Sequence, residues 1–320
     1  MSTFFRRSRF VEDNRSQAPE EAGFTPRSFC RGVFFSVLLF LFSSFLSPAP
    51  QVFGEPPAYT LAAYPTNDPK KVYDALKPLG DCIAAETGWT VRTVVTRNYE
   101  EIIHRLTDGT VDIAMLSSAS YVRFGPSIPG LSYVVTYMEM EGTAPTPFYH
   151  SVILCLADSP VSEISGLEGK KFAFTDRYST SGYIIPLLLF RDRGIDPETF
   201  FGKIFFVGKH DAVIEALKAR SVDGGAVSSE ILANAEAADG NIFRVLASSE
   251  PIPLDAVVAG RNVPEEHVGK LRMVLSSLAV DSAAVEAIRA HLQWPAAGFA
   301  VLDDSIYDPL RRALGIRAGD

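Results

Sequence analysis

Between residues 58 and 230 the chain alternates, at short intervals, between β-branched apolar runs and segments whose apolar residues recur every three or four positions. Residues 59–63 and 90–95 read as strands. Residues 69–87 between them read as a helix with Val72, Ala75, Leu76, Leu79 and Ile83 on one face. Asn98 and Glu101 have capping-box spacing ahead of a second helix carrying Ile102, Ile103 and Leu106, which Gly109 ends. Residues 111–116 form a buried-type strand that runs into Ser117, Ser118 and Ser120, hydroxyl residues suited to starting a helix. Strands joined through helices pair in parallel, because a tight hairpin cannot return the chain to the same end of a sheet. The expected fold class is α/β with largely parallel sheets.

With 320 residues, 47% of them hydrophobic and 21% charged, the chain is long enough for two packed lobes. An internal echo points the same way. Residues 109–118 (Gly-Thr-Val-Asp-Ile-Ala-Met-Leu-Ser-Ser) are answered by residues 220–229 (Arg-Ser-Val-Asp-Gly-Gly-Ala-Val-Ser-Ser), with chance similarity as the alternative. The apolar run 152–157 reads as a first crossing between lobes, and residues 248–255 as a return crossing.

The stretch 169–190 carries the strongest chemical signal. A short strand over residues 171–175 leads through a polar turn into Ser179, Thr180, Ser181 and Gly182, and then into an apolar helical run. Ser and Thr cap helices, Gly allows close approach, and the first amides of a helix lack internal partners. Such a helix start suits an oxyanion. Pro186 predicts a late start or a bend. An ordinary capped helix with spare hydroxyls is the competing reading of these residues alone. His210 falls at another strand-to-helix switch, and several such switches can converge on one cleft.

The formal charge of −8 argues against nucleic acid as a partner. The first 54 residues concentrate arginine (Arg6, Arg7, Arg9, Arg15, Arg27 and Arg31), so the remainder is more acidic still. Residues 32–46 are an apolar run shorter than a spanning helix, which reads as an export signal or, if uncleaved, an anchor. Cys82 and Cys155 read as small core residues and are not expected to pair. The five histidines form no metal-ligand spacing, and no phosphate-cradling or dinucleotide loop occurs. Ser181, His210 and Asp223 supply the residue types of a hydrolase triad, but the chain lacks a Gly-x-Ser-x-Gly elbow. No cofactor is expected, and the chain does not read as an enzyme.

Tyr149-His150-Ser151, residues 179–183 and residues 208–211, in this order, resemble the phosphate/phosphite/phosphonate substrate-binding proteins of ABC importers, the PhnD-like family. Ser120-Tyr121-Val122, Asp176, Phe200-Phe201, Val222-Asp223 and Pro251-Ile252-Pro253 add to the resemblance, which covers about residues 58–315. It implies a two-lobed type II periplasmic-binding-protein fold with two crossing strands. Lobe 1 would comprise residues 58–148 plus 255–315, lobe 2 residues 149–254, and residues 1–54 the leader or anchor. It further implies that Ser179, Thr180 and Ser181 hold the anion's oxygens, with Tyr99, Tyr149 and His210 donating from around the cleft. In relatives that take 2-aminoethylphosphonate two carboxylates hold the ammonium, and their positions look like Glu230 and Asp255 here. Ser117-Ser118 departs from the Gly-Pro or Gly-Asn common in the family.

What the resemblance implies is capture of a small oxyanion in the periplasm for delivery to an ABC permease. The alternative is a sensor of the same fold reporting to a membrane histidine kinase.

Overall fold

Strand β1 (Ala58–Ala63) runs into a turn where the Asp68 side chain accepts a hydrogen bond from the Lys70 amide and starts α1 (Pro69–Thr87). Gly88 ends that helix in the left-handed conformation, at φ 74°. This is a computed structural model, and it describes residues 55–316. The leader or anchor expected over residues 1–54 lies outside the described residues.

Chain order continues with β2 (Thr90–Val95), α2 (Tyr99–Asp108), β3 (Ile113–Leu116), α3 (Ser118–Phe124), β4 (Ser132–Glu141), β5 (Ala144–Thr146) and β6 (Phe148–Tyr149). Next come β7 (Ser151–Leu156), β8 (Lys171–Phe174), a wide π turn (Thr180–Ile184) continuing into α4 (Ile185–Arg191), α5 (Pro197–Phe200), β9 (Lys203–Phe206), α6 (His210–Lys218), β10 (Gly224–Ser228), α7 (Ser229–Asp239) and β11 (Phe243–Ser248). The chain closes with β12 (Ile252–Pro253), β13 (Ala256–Ala259), α8 (Glu265–Ser276), α9 (Ala283–Leu292), β14 (Ala296–Ala300) and α10 (Asp308–Ala313).

One sheet has the order β14-β4-β13-β3-β1-β2, with β5 on β4, and the other β11-β7-β10-β8-β9. The α/β class expected from the alternation holds, but the sheets are mixed rather than largely parallel. Strands β2, β1 and β3 are parallel, as are β9, β8 and β10, while β13 and β7 enter antiparallel to both neighbours. The reason is directional. A chain arriving from the other sheet comes in at the carboxyl ends of the parallel strands and must run against them.

The two sheets follow one plan, with β2, β1, β3, β13 and β4 answered by β9, β8, β10, β7 and β11. The ten-residue echo lies at equivalent places in it. Asp112 Oδ2 accepts from the Thr60 amide at 2.8 Å and Asp223 Oδ2 from the Lys171 amide at 2.9 Å, each tying the start of the neighbouring parallel strand. Arg220, at φ 54°, takes the left-handed position that Gly109 takes at φ 80°.

Each sheet is packed on both faces. Leu61, Ile83, Val135 and Leu271 lie in the core on one face of the larger sheet, and Ile102, Leu106, Leu116 and Val258 in that on the other. The smaller sheet is covered by Leu154, Val213 and Leu217 on one side and by Phe172, Phe174 and Phe190 on the other. Cys155, on β7, is buried in the smaller sheet's core, whereas Cys82, on α1, is half-buried and packs against the core of the larger sheet.

The passage between sheets differs from the expectation. The run around residues 152–157 is not itself the crossing, because β7 pairs with β10 and β11 inside the smaller sheet. Its alternation is too apolar to distinguish a sheet interior from a connection. Instead β6 and β12 form a separate two-stranded ribbon, with Tyr149 opposite Ile252 and Phe148 opposite Pro253.

Candidate functional site

The carboxyl ends of the parallel strands in both sheets face one another across a small cavity of about 40 Å³. That is room for a few water-sized groups. Its wall includes all eight residues singled out from the sequence: Tyr99, Tyr149, Ser179, Thr180, Ser181, His210, Glu230 and Asp255. It also includes Ser117, from the Ser117-Ser118 departure, and Tyr64, Thr66, Tyr137, Glu139, Ser228, Leu254 and Trp294, which the sequence reading missed. No Lys or Arg lines it.

Helix starts supply one side. Tyr99 opens α2 behind its Asn98 cap, Ser117 caps α3, and His210 opens α6. Ser179 caps the π turn, its hydroxyl accepting from the Gly182 amide at 3.1 Å. Each such start carries amides without a partner inside its own helix and the positive end of the helix dipole.

Pro186 explains the wide turn. It has no N–H to give to Gly182 or Ser181, so both carbonyls are free for other partners. The Gly182 carbonyl accepts from the Thr175 amide at 3.2 Å, and the Ser181 carbonyl from Ser151 Oγ at 2.7 Å. The chain thus makes a wide turn from Thr180, and the α-helix proper starts late, at Ile185, with Pro186 in its first turn. Gly182 is required by contact, since a Cβ there would lie 1.8 Å from Thr175 Oγ1.

His210 is a neutral donor. Burial lowers its pKa to about 4, and its Nδ1 accepts from the Ser228 amide at 3.3 Å. The proton must then be on Nε2, which faces Ser179 Oγ at 3.4 Å on the cavity side. Thr180 Oγ1 accepts from the Ala119 amide at 2.9 Å and lies 3.3 Å from Ser118 Oγ, so this hydroxyl also links the two sheets' helices. Ser117 Oγ adds a bond to the Tyr178 carbonyl at 3.1 Å. The Ser117-Ser118 departure is therefore an interlobe contact.

The opposite side is acidic. Glu139 comes from β4, Glu230 from the first turn of α7, and Asp255 from the residue before β13. Burial raises the Asp255 pKa to about 7, with the Glu230 charge adding to it and a hydrogen bond donated by the Tyr64 hydroxyl opposing it. Burial also raises Glu230, which accepts from Ser229 Oγ at 2.6 Å. Glu139 is pushed well above the carboxylate range by burial first, and then by Glu230 and Asp255. The Tyr64 and Tyr99 rings lie 4.1 Å apart, tilted by 31°.

A triad of Ser181, His210 and Asp223 is ruled out by position. Asp223 binds the Lys171 amide at the far end of β10, about 16 Å of strand away from the cavity, and His210 Nδ1 is already occupied by Ser228. Among the described residues no group of His, Cys, Asp or Glu is placed to hold a metal ion, and no helix is long and apolar enough to cross a membrane.

Residues 61–307 match the family described as "ABC transporter, phosphonate, periplasmic substrate-binding protein". The chain belongs to this family. The family is one of substrate-binding proteins, and the fold is the two-lobed type II periplasmic-binding-protein fold. The chain is 29% identical over 181 residues to the phosphate-import protein PhnD of Mycolicibacterium smegmatis, covering 54% of this chain and 55% of that one. It is 25% identical over 174 residues to the tetrathionate sensor histidine kinase TtrS of Salmonella typhimurium, covering 53% of this chain and 29% of that one. The chain thus spans about half or less of the curated relatives it matches. PhnD1 of Prochlorococcus marinus, solved with methylphosphonate, superposes with a TM-score of 0.70 at 17% identity, over 81% of this chain and 97% of that one.

Why Glu139 was missed is physical. β4 continues past Tyr137 and Met138 to Glu141. Its strict alternation puts Tyr137 and Glu139 on one face. A carboxylate in phase with an inward tyrosine was the available signal.

Proposed function

We propose that this protein captures a small phosphonate in the cavity and delivers it to an ABC permease from the periplasmic side of the membrane. The observation that carries the reading is the two-sided cavity: helix starts, hydroxyls and a neutral His210 donor on one side, three carboxyls on the other, and no cationic side chain. An anion is held by dipoles and neutral donors, which avoids burying a second full charge. Ser179, Thr180 and Ser181 contact its oxygens, with Tyr99, Tyr149 and His210 completing the donor set. Glu230 and Asp255 hold an ammonium, which makes 2-aminoethylphosphonate the favoured ligand.

Residues 58–148 with 255–315 and residues 149–254 act as the two lobes, and the β6/β12 ribbon as the hinge about which they close. Closure is driven by contacts that exist only when both lobes reach the ligand.

Calorimetric titration with 2-aminoethylphosphonate, methylphosphonate, phosphite, phosphate and tetrathionate tests this directly. Tight binding of the aminophosphonate is expected, and Glu230→Gln and Asp255→Asn should weaken it more than methylphosphonate. Equal losses for both ligands would remove the ammonium site. A response to tetrathionate alone would favour the second reading, a sensor domain, which the partial similarity to a sensor kinase motivates.

A further inference from the structure

Glu139 is out of place for a structural residue. It lies inside a paired strand, is only 4% exposed, and the polar side chain beside its carboxyl is the Tyr137 hydroxyl. A buried acid with no cationic partner costs stability, and an apolar side chain of similar volume would cost less. Beside it the Tyr137 hydroxyl is sealed from solvent and has no hydrogen-bond partner. It approaches Glu139 without the alignment of a hydrogen bond. Both residues line the cavity with Glu230 and Asp255, and these three acids come from β4, α7 and the start of β13. The trio is not placed to hold a metal ion, and no Lys or Arg lines the cavity.

We propose that Glu139, seated by Tyr137, is the third arm of an ammonium subsite, so that a primary ammonium gives one N–H each to Glu139, Glu230 and Asp255. This rests on reading the cavity as an aminophosphonate site. An –NH₃⁺ group carries three donors and no acceptor, which matches three acceptors arriving from three elements. Glu230 belongs to the smaller sheet's lobe and the other two acids to the larger one's, so the ammonium ties the lobes together. Specificity follows from the count. Each methyl added to the nitrogen removes a donor and leaves one carboxyl unsatisfied. The quaternary amine has none to give.

The test uses the full chain, titrated with 2-aminoethylphosphonate, its N-methyl, N,N-dimethyl and N,N,N-trimethyl derivatives, and methylphosphonate. Glu139→Gln should lower affinity for the primary amine about tenfold more than for methylphosphonate, the size expected for a hydrogen bond to a charged group. Wild-type affinity should fall at each methylation, and the first step should shrink in Glu139→Gln. An unchanged ratio in Glu139→Gln, with a lowered ratio in Glu230→Gln, overturns the third arm and leaves the aminophosphonate reading intact. An unchanged ratio in both overturns the reading and the third arm together. If Glu139→Gln does not fold, the methylation series on the wild type decides alone, and a flat series overturns the proposal.

Discussion

Burial acts on His210 and Asp255 in opposite senses. It favours the neutral form of each, lowering the His210 pKa from 6.5 to about 4 and raising that of Asp255 from 3.8 to about 7. The stability due to His210 is present above pH 6.5 and is lost as the pH falls through about 4. That due to Asp255 is complete below pH 3.8 and is lost as the pH rises through about 7. The two slopes oppose each other in the wild type. Asp255→Asn removes one of them, so the stability of the variant relative to wild type should climb by about 1.4 kcal/mol per pH unit across that window. Urea unfolding at stepped pH reads this, and a pH-independent difference would show that Asp255 is not held protonated. At this scale the place of Ser179, Thr180 and Ser181 on the cavity wall was legible because they carry their chemistry in their own side chains. Glu139 was not, since only strand register decides which way it faces.

The helix start at Thr180–Ile184 shows how one element can be read correctly in kind and not in form. Ser179 announced the cap, and Pro186 announced an irregularity. The π turn depends on partners far along the chain, Ser151 and Thr175, that a local reading could not supply. Gly182 is where this dependence is tightest. Gly182→Ala would drive a methyl into Thr175, and such overpacking costs about 1–3 kcal/mol. Denaturant unfolding should show that loss, and titration should show weakened phosphonate binding because the amides of the turn shift with it. Wild-type stability and affinity in the alanine variant would mean that the turn has room the structure does not show. The strand order was legible only in part. Alternation gives the parallel core of each sheet, but β13 and β7 are inserted by the route of the chain between sheets, which no local pattern encodes.

Across the whole molecule, the two lobes meet through hydrogen bonds on the cavity side as well as through the ribbon. Ser118 Oγ to Thr180 Oγ1, at 3.3 Å, spans the cleft without serving as a helix cap. Ser118→Ala should therefore bias the lobes toward opening and weaken phosphonate binding by about two- to tenfold, the range of a neutral hydrogen bond. Small-angle scattering of the ligand-free variant should give a larger radius of gyration than wild type. Identical scattering and identical affinity would show that the contact plays no part in closure.

The antiparallel insertion of β13 also orders events in time. Strands β3 and β4 are made early, yet the strand that separates and joins them is made only after the entire smaller sheet. Until then both have an unpaired edge in the middle of what will be a sheet. The first-made lobe is thus the last to be finished. The second, continuous in sequence, can close its own strands while the first waits, so nascent chains cut short before Ala256 would leave the larger sheet split at its centre.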